Sequence, residues 1–471
     1  MVWREAVAMP RTGRLGRAAV PLAVRAVAPR EPAMHALLSG APPSFSPRSS
    51  FEYTGSAPSW YIGHMHRAMR SIPSMLARTP PPLVVEVRDA RVPFTSINPN
   101  FEAALRNAPA AQQRVRVAPR TYLPGWSARR LVVYTKRDQV DTKLEGPILR
   151  ALAQHTHDQS VMFVDTRKKS DMQRVYDWVV ARAKTLAKPA AQAGTHASNH
   201  QRHARLSGAA RYTPTPETGV RVLVVGMPNV GKSSLLNALR FVGTGKASAA
   251  STHPHPGHTR KVTGTVRITP DPPSLAQLEM TSPVNMKSLV ARERERGPAV
   301  YVYDTPGIML PYLGPAERGG TERAIKLALA GCMKQALFDA ETLADYLLFR
   351  MNQRYVYALA QGDRTLPPYT ALMHDPAPTD DVKVFLTRVA ERAPGARQKG
   401  GALNLAVAAD YVIAQFRRGL LGPRELDLTL QEGRPMPGAS LDARVADQLE
   451  AYLLGPGDPH RPGDDAPPHP T

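Results

Sequence analysis

Residues Val222 to Val225 form a short apolar run that leads directly into Gly226-Met-Pro-Asn229-Val230-Gly231-Lys232-Ser233-Ser234. A strand followed by Gly-x-x-x-x-Gly-Lys-Ser predicts a strand–loop–helix unit whose loop wraps a phosphate. Its two glycines let the backbone turn tightly enough to aim several N–H groups at one anion. The N-terminus of the following helix adds its positive end. Asn229 through Ser234 are therefore the expected nucleotide contacts, with the Lys232 ammonium on the β- and γ-oxygens and the Ser233 hydroxyl suited to Mg²⁺. A glycine-rich turn without a ligand is the plainer alternative.

Three further segments narrow the nucleotide. Leu131-Val-Val-Tyr134 leads into Thr135-Lys136-Arg137-Asp138, a Thr-Lys-x-Asp loop after a strand. The Asp138 carboxylate can accept from both N1–H and N2–H₂ of guanine, a donor pair that adenine lacks, while the Lys136 stem covers the ring face. Val300-Tyr-Val-Tyr303 leads into Asp304-Thr-Pro-Gly307, where Asp304 is the expected Mg²⁺-side carboxylate and the Gly307 N–H the γ-phosphate sensor. Thr259 lies between these segments, in Pro256-Gly257-His258-Thr259, where a switch threonine completes the Mg²⁺ shell.

The chain order is thus base loop, phosphate loop, first switch, second switch, whereas an ordinary GTPase places the base loop last. A parallel sheet tolerates such reordering, because its core depends on which strands are neighbours and not on where the termini fall. The consequence is that whatever follows the second switch is attached directly to the γ-phosphate sensor.

With that order, Trp60-Tyr-Ile62-Gly63-His64-Met65-His-Arg-Ala68 is similar to a Trp-Phe-Pro-Gly-His-Met-x-Lys-Ala motif. Asp89-Ala90-Arg91-Val92-Pro93 and Phe416-Arg417-Arg418-Gly419-Leu-Leu-Gly422 complete the pattern. The chain resembles circularly permuted GTPases of the YlqF/RbgA type from about Trp60 to Gly422, and most of all their mitochondrial ribosome-assembly members. The fold implied is α/β: a P-loop NTPase with a circularly permuted Ras-like domain on a doubly wound, mostly parallel sheet, followed by a small all-α C-terminal domain. The resemblance further implies GTP and GDP as ligands and the mitochondrial large ribosomal subunit with its rRNA as partner. It places the protein in the matrix, with peripheral attachment to the inner membrane as an option. Guanine O6 would be read by backbone N–H groups at Asp165-Thr166, where the family has Ser-Ala.

The charge agrees with a polyanionic partner: Lys and Arg exceed Asp and Glu by 22 over 471 residues. No apolar run approaches the length of a membrane-spanning helix. One cysteine, Cys332, excludes an internal disulfide and reads as a small core residue. The first fifty residues carry Arg4, Arg11, Arg14, Arg17, Arg25, Arg30 and Arg48 against Glu5 and Glu31. That acid-poor pattern predicts a mitochondrial transit peptide; a basic RNA-binding arm is the alternative.

The predicted organisation is residues 1–50 as transit peptide or disordered, 51–318 as the GTPase domain, 319–430 as the helical domain and 431–471 as a disordered tail. Within the GTPase domain, 187–218 reads as a basic linker and 270–298 as an insertion. Runs at 83–87, 131–134, 161–164, 221–225 and 300–303 read as buried parallel strands, and 262–268 as the strand after the first switch. Leu343, Leu347, Leu348 and Met351 share one helical face, as do Leu403, Val407, Tyr411 and Ala414. Arg417-Arg418-Gly419 closes the last helix, and Arg350 and Arg417 are candidates for facing phosphates or flanking a solvated helix.

Catalysis is the least legible step. Ile308 occupies the position of the water-orienting glutamine of Ras-like proteins, and an apolar side chain cannot orient water. The resemblance assigns that role to His64; His258 is a second candidate by position. It also makes Asn229 a K⁺ ligand. Two other readings fit the same residues: a nucleolar GTPase working on the cytosolic large subunit, and a nucleotide-gated RNA-binding scaffold that does not turn over.

Overall fold

The computed structural model describes residues 47–53, 63–78, 81–118, 121–156, 160–187, 219–246, 265–270, 298–309, 313, 319–360, 362–428 and 440–453. Thr259, His258, the linker, nearly all of the insertion and most of the expected transit segment lie outside them.

Each Val/Leu run is a strand. β1 (Leu83–Asp89), β4 (Arg130–Thr135), β5 (Val161–Phe163), β6 (Val220–Gly226), β7 (Val266–Arg267) and β8 (Val300–Asp304) make one sheet in the order β5-β4-β1-β6-β8-β7. All pairs are parallel except β7 with β8. Strands from the first part of the chain fill one side and those from the second part the other, meeting where β1 pairs with β6. The permutation is visible in that seam: the phosphate-loop strand sits mid-sheet, and the loops after β1, β4, β6 and β8 leave the same edge. Open parallel sheets bind ligands at such an edge, outside the strands' carboxyl ends. A second, antiparallel pair, β2 (Arg114–Ala118) with β3 (Thr121–Pro124), stands apart.

The helices are α1 (Gly63–Leu76), α2 (Pro99–Arg106), the single turn α3 (Gly125–Ala128), α4 (Glu145–His155), α5 (Lys169–Ala187) and α6 (Lys232–Thr244). After the second switch come α7 (Gly320–Leu329), α8 (Ala340–Ala360), α9 (Val382–Ala390), α10 (Leu405–Arg418) and α11 (Leu441–Leu453). Apolar faces of β1 and β6 and the helices α7 to α10 share one continuous core that includes Val85, Val224, Leu329, Leu347, Phe385 and Ile413. The helical region is therefore packed onto the GTPase sheet and not strung behind it. Cys332 belongs to this core, and burial pushes its thiol up to about 11.

Several expectations are corrected. Residues 441–453, placed in a disordered tail, form α11, whose Val445 and Leu449 pack against Ile148 and Leu152 of α4. Polar residues flank this helix and mask its narrow apolar stripe. α10 is consequently not the last helix, although Gly419 does close it in the left-handed conformation, at φ 86°. The buried stripe of α10 is Ala408, Ala409, Val412, Ile413 and Phe416; Val407 and Tyr411 lie at its margin. Small alanines, easily passed over in a hydrophobic pattern, let the helices approach.

Neither arginine faces solvent phosphates. Arg350 is buried and donates to Leu428 O at 3.0 Å. Arg417 donates to Ala328 O at 2.7 Å, Leu329 O at 3.2 Å and Gln335 Oε1 at 2.9 Å. Arg48, assigned to the leader, grips Asp345 on α8 and donates its backbone N–H to Asp380 at 2.7 Å, while Phe51 stacks edge-on against Tyr346.

Candidate nucleotide site

The phosphate loop is shaped by close approach. Gly226 sits at φ 149°, and a Cβ there would fall 2.2 Å from Val87 O on β1. Any side chain would push the loop off its neighbouring strand. The loop ends at the N-terminus of α6, where Lys232 is buried and its Nζ lies 2.8 Å from Met227 O and 3.2 Å from Gly226 O. Those carbonyls hold the ammonium at the mouth of the loop, beside the helix end that favours anions. Ser233 and Ser234 follow in the first turn. Val230 gives its carbonyl to the Thr135 hydroxyl, and Gly231 packs beside the same side chain.

Thr135 is thus a brace between the base loop and the phosphate loop. Lys136 continues the bracing from a left-handed backbone at φ 60°, its Nζ reaching Asn229 O at 2.8 Å and Asp89 Oδ2 at 2.7 Å. Burial pulls the Lys136 pKa down, with Asp89 opposing. Asp89 is fully buried; burial alone would raise its pKa, but Arg91 and Lys136 outweigh that and hold it well below the ordinary carboxylate range. Arg91 binds Asp89 with two nitrogens, at 2.9 and 2.7 Å, and also donates to Ala330 O at 2.5 Å. In the sequence, Asp89 and Arg91 stand only as members of a motif. Their spacing does not disclose that they join the base loop to the end of α7.

The candidate base-reading edge lies at the loops after β4 and β5. Asp138 lies beside the Asp165-Thr166-Arg167 turn, its Oδ2 2.7 Å from Arg167 Nη2. Asp165, expected to offer its N–H to the base, donates it to Asp171 Oδ2 at 2.9 Å instead. Its carboxylate accepts from the Arg167 N–H at 3.0 Å, and its carbonyl from the Lys168 N–H at 2.9 Å. The Thr166 N–H, between these engaged groups, is the backbone donor the turn can present to guanine O6.

The second switch touches the phosphate loop through its backbone. A Cβ on Gly307 would lie 2.5 Å from Pro228 Cα, and the Ile308 N–H donates to Gly226 O at 3.1 Å. Asp304 pairs with Val224 in the β6–β8 register, so it stands at the same sheet edge as Ser233. A hydroxyl and a carboxylate are hard oxygen donors, a set that fits Mg²⁺. Ile308 is buried with Ile72 and Leu76 of α1 and with Phe101 and Leu105 of α2. Burying such a side chain is worth about 1.5–3 kcal/mol, which anchors the switch without giving it a water-orienting group. His64 lies in the first turn of α1, the helix covering Ile308; its side chain falls outside the described atoms.

Asn229 reaches from the phosphate loop to α7. At φ 55° it turns its Nδ2 to Gly331 O, 3.0 Å away, just beyond α7. The carbonyls ending α7 are thus held from three sides: by Asn229 of the phosphate loop, by Arg91 of the β1 loop, and by Arg417 of α10.

Among known proteins, the family described as 50S ribosome-binding GTPase matches residues 221–364. A protein named mitochondrial GTPase 1 from Schizosaccharomyces japonicus is 30% identical over 79% of this chain and 91% of its own length. One from Schizosaccharomyces pombe is 29% identical over 82% and 93%. A Bos taurus protein named mitochondrial ribosome-associated GTPase 1 is 27% identical over 82% and 94%. Among solved structures, nucleotide-bound YlqF from T. maritima covers 72% of the chain and 89% of its own, at 16% identity and a TM-score of 0.34.

Proposed function

Since the chain belongs to the mitochondrial GTPase 1 family and hydrolyses GTP as those enzymes do, we propose that it acts in the mitochondrial matrix on the large ribosomal subunit. There it couples GTP hydrolysis to the subunit's assembly or maturation. The observation that supports this most is the grip of the nucleotide loops on α7. Asn229 holds Gly331 and Arg91 holds Ala330, so the helical region is hydrogen-bonded to the loops that sense nucleotide. A change at the phosphate loop can bias how the helices are presented to rRNA. Among the described residues no helix is long and apolar enough to cross a membrane.

A ligand shifts such an equilibrium only by its differential affinity for the two states. The GTP form should bind the mitochondrial large subunit more tightly than the GDP form by about 1–3 kcal/mol. Because phosphates are the partner, affinity in both states should fall steeply with salt. Co-sedimentation with purified large subunits, using a non-hydrolysable GTP analogue against GDP, measures both. Equal binding in the two states at every salt concentration would remove the coupling.

Within the site, Lys232 and the N–H groups of the loop bind and orient the phosphates, and Asp138 with the Thr166 N–H orients the base. Ser233, Asp304 and Thr259 would hold Mg²⁺, which would neutralise charge on the phosphate oxygens. Ile308 excludes water from its own side, so the attacking water needs another partner, and His64 on α1 is the proposed one. His64→Ala should lower turnover by about a hundredfold or more with GTP affinity intact. A parallel loss of affinity and rate would make His64 structural.

Asn229 is also proposed as a K⁺ ligand. With its Nδ2 on Gly331 O, the cation would be met by the amide oxygen, a hard donor. Turnover should fall when Na⁺ replaces K⁺; an unchanged rate would exclude the assignment.

A further inference from the structure

We propose that Arg167 is a gate on guanine binding: its guanidinium competes with the base for Asp138, and nucleotide binds only by displacing it. This rests on the reading of Asp138 as the guanine acceptor. The turn after β5 places Arg167 Nη2 2.7 Å from Asp138 Oδ2, across the gap between the base-reading loops. The neighbouring cations are committed elsewhere. Arg137 donates to Glu145 at 2.6 Å, and Lys136 to Asp89 and Asn229. Arg167 is the cation turned onto the carboxylate that must accept from the base.

The same side chain has a second seat. Its Nε lies 3.0 Å from Asp165 Oδ1, and the same Nη2 that meets Asp138 lies 3.2 Å from Asp165 Oδ2, so one guanidinium bridges both carboxylates. The Arg167 side chain is 71% exposed, so swinging away from Asp138 uncovers no apolar surface. A guanine edge drawn up to Asp138 needs the space and the acceptor direction that Nη2 now takes. On displacement the Nη2 contact with Asp138 breaks while Nε keeps Asp165 Oδ1, and the bridge re-forms when nucleotide leaves. Asp165, whose N–H donates to Asp171, serves as the tether through its carboxylate.

Removing Arg167 has two opposed effects, and their signs separate them. Losing a cation near a polyanion weakens every phosphate ligand, whereas freeing Asp138 strengthens only ligands that carry the base. The worth of an exposed ion pair translates into a gain of about 1.5- to 5-fold.

The test is calorimetric titration of the full chain with GDP, a non-hydrolysable GTP analogue and Mg²⁺-tripolyphosphate, for wild type, Arg167→Ala and Arg167→Gln. Both variants should bind the two guanine nucleotides about 1.5- to 5-fold more tightly, with tripolyphosphate unchanged or weaker. The gain should vanish against Asp138→Asn, measured with xanthosine diphosphate. Weaker or unchanged guanine-nucleotide binding in both variants would overturn the gate, as would an equal gain with tripolyphosphate. Asp138→Asn alone tests the underlying reading: it should prefer XTP over GTP. Retained GTP preference would sink the base-loop assignment whatever Arg167 does.

Discussion

Lys232→Ala should lower affinity for GTP by about a hundred- to a thousandfold, the largest binding effect expected of a single side chain in this protein, and affinity for GDP by about ten- to a hundredfold. Lys232 is buried at the start of α6 with its ammonium over the loop carbonyls of Gly226 and Met227. A phosphate entering the loop meets that charge already oriented, so little ordering entropy opposes the contact. Each hydrogen bond from a charged donor is worth about 1.5–3 kcal/mol: contacts at the β- and γ-oxygens give about 3 kcal/mol or more for GTP, and the β-contact alone remains for GDP. Isothermal titration with GDP and a non-hydrolysable GTP analogue measures it, with the thermal transition of the unliganded variant as control. An unchanged affinity in a folded variant would remove the phosphate-loop reading.

Asp89→Ala should destabilise the fold by about 3–5 kcal/mol, the cost of stripping the partner from buried charges. Asp89 is fully buried and accepts from Arg91 and Lys136, so its loss leaves two cations facing one another in a dry site. The damage extends to function, because Lys136 loses one of its two anchors and Arg91 loses the support from which it holds Ala330. Chemical denaturation should show the loss, and subunit co-sedimentation should show a smaller difference between GTP and GDP states. Asp89→Asn, which keeps the shape and one acceptor, should fall between wild type and Asp89→Ala.

The pH dependence has a definite sign. Arg91 and Lys136 depress the folded-state pKa of Asp89 below its unfolded value of about 3.9. The stabilisation from this group is therefore complete above that unfolded value and is lost as pH falls from about 4 toward the folded value. Wild-type stability should decline over that acid window more steeply than that of Asp89→Asn, which has no proton to gain. Parallel acid titrations of the two would show that Asp89 is not the charged partner of Arg91 and Lys136.

How much was readable follows from how local each feature is. The strands of the sheet announce themselves because a parallel strand covered on both faces must be apolar throughout, and Val-rich runs such as 131–134 and 221–225 suit little else. β1 is the instructive exception in part. It buries Glu86 and Arg88 along with its valines, and these pair with each other at 2.7 Å and with Arg130 and Glu102. Such a network satisfies charge across strands distant in sequence, so no window of residues predicts it. The same holds for Arg350 and Arg417. An arginine on a helix reads as solvated, yet here the carbonyl of Leu428 meets Arg350 and the carbonyls of α7 meet Arg417. α11 escapes a local reading because its partner surface lies on α4, far earlier in the chain; Arg150 and Asp442, which pair across that contact, are 292 residues apart.

The chemistry and the order of its parts were already written in the residues. A phosphate loop and a base loop are contiguous motifs, because one ligand group is met by one tight turn, and their reversed order announces the permutation. How those parts are joined was left to the packed fold. Lys136, Asp89, Arg91 and Asn229 lie in three separate loops and become a single connection to α7 only when β1, β4 and β6 align in the sheet. Likewise, Arg167 meets Asp138 only because β4 and β5 pair in parallel and end together. Motifs within one turn are written in residue spacing. Contacts between turns depend on strand register and packing, which no local spacing encodes.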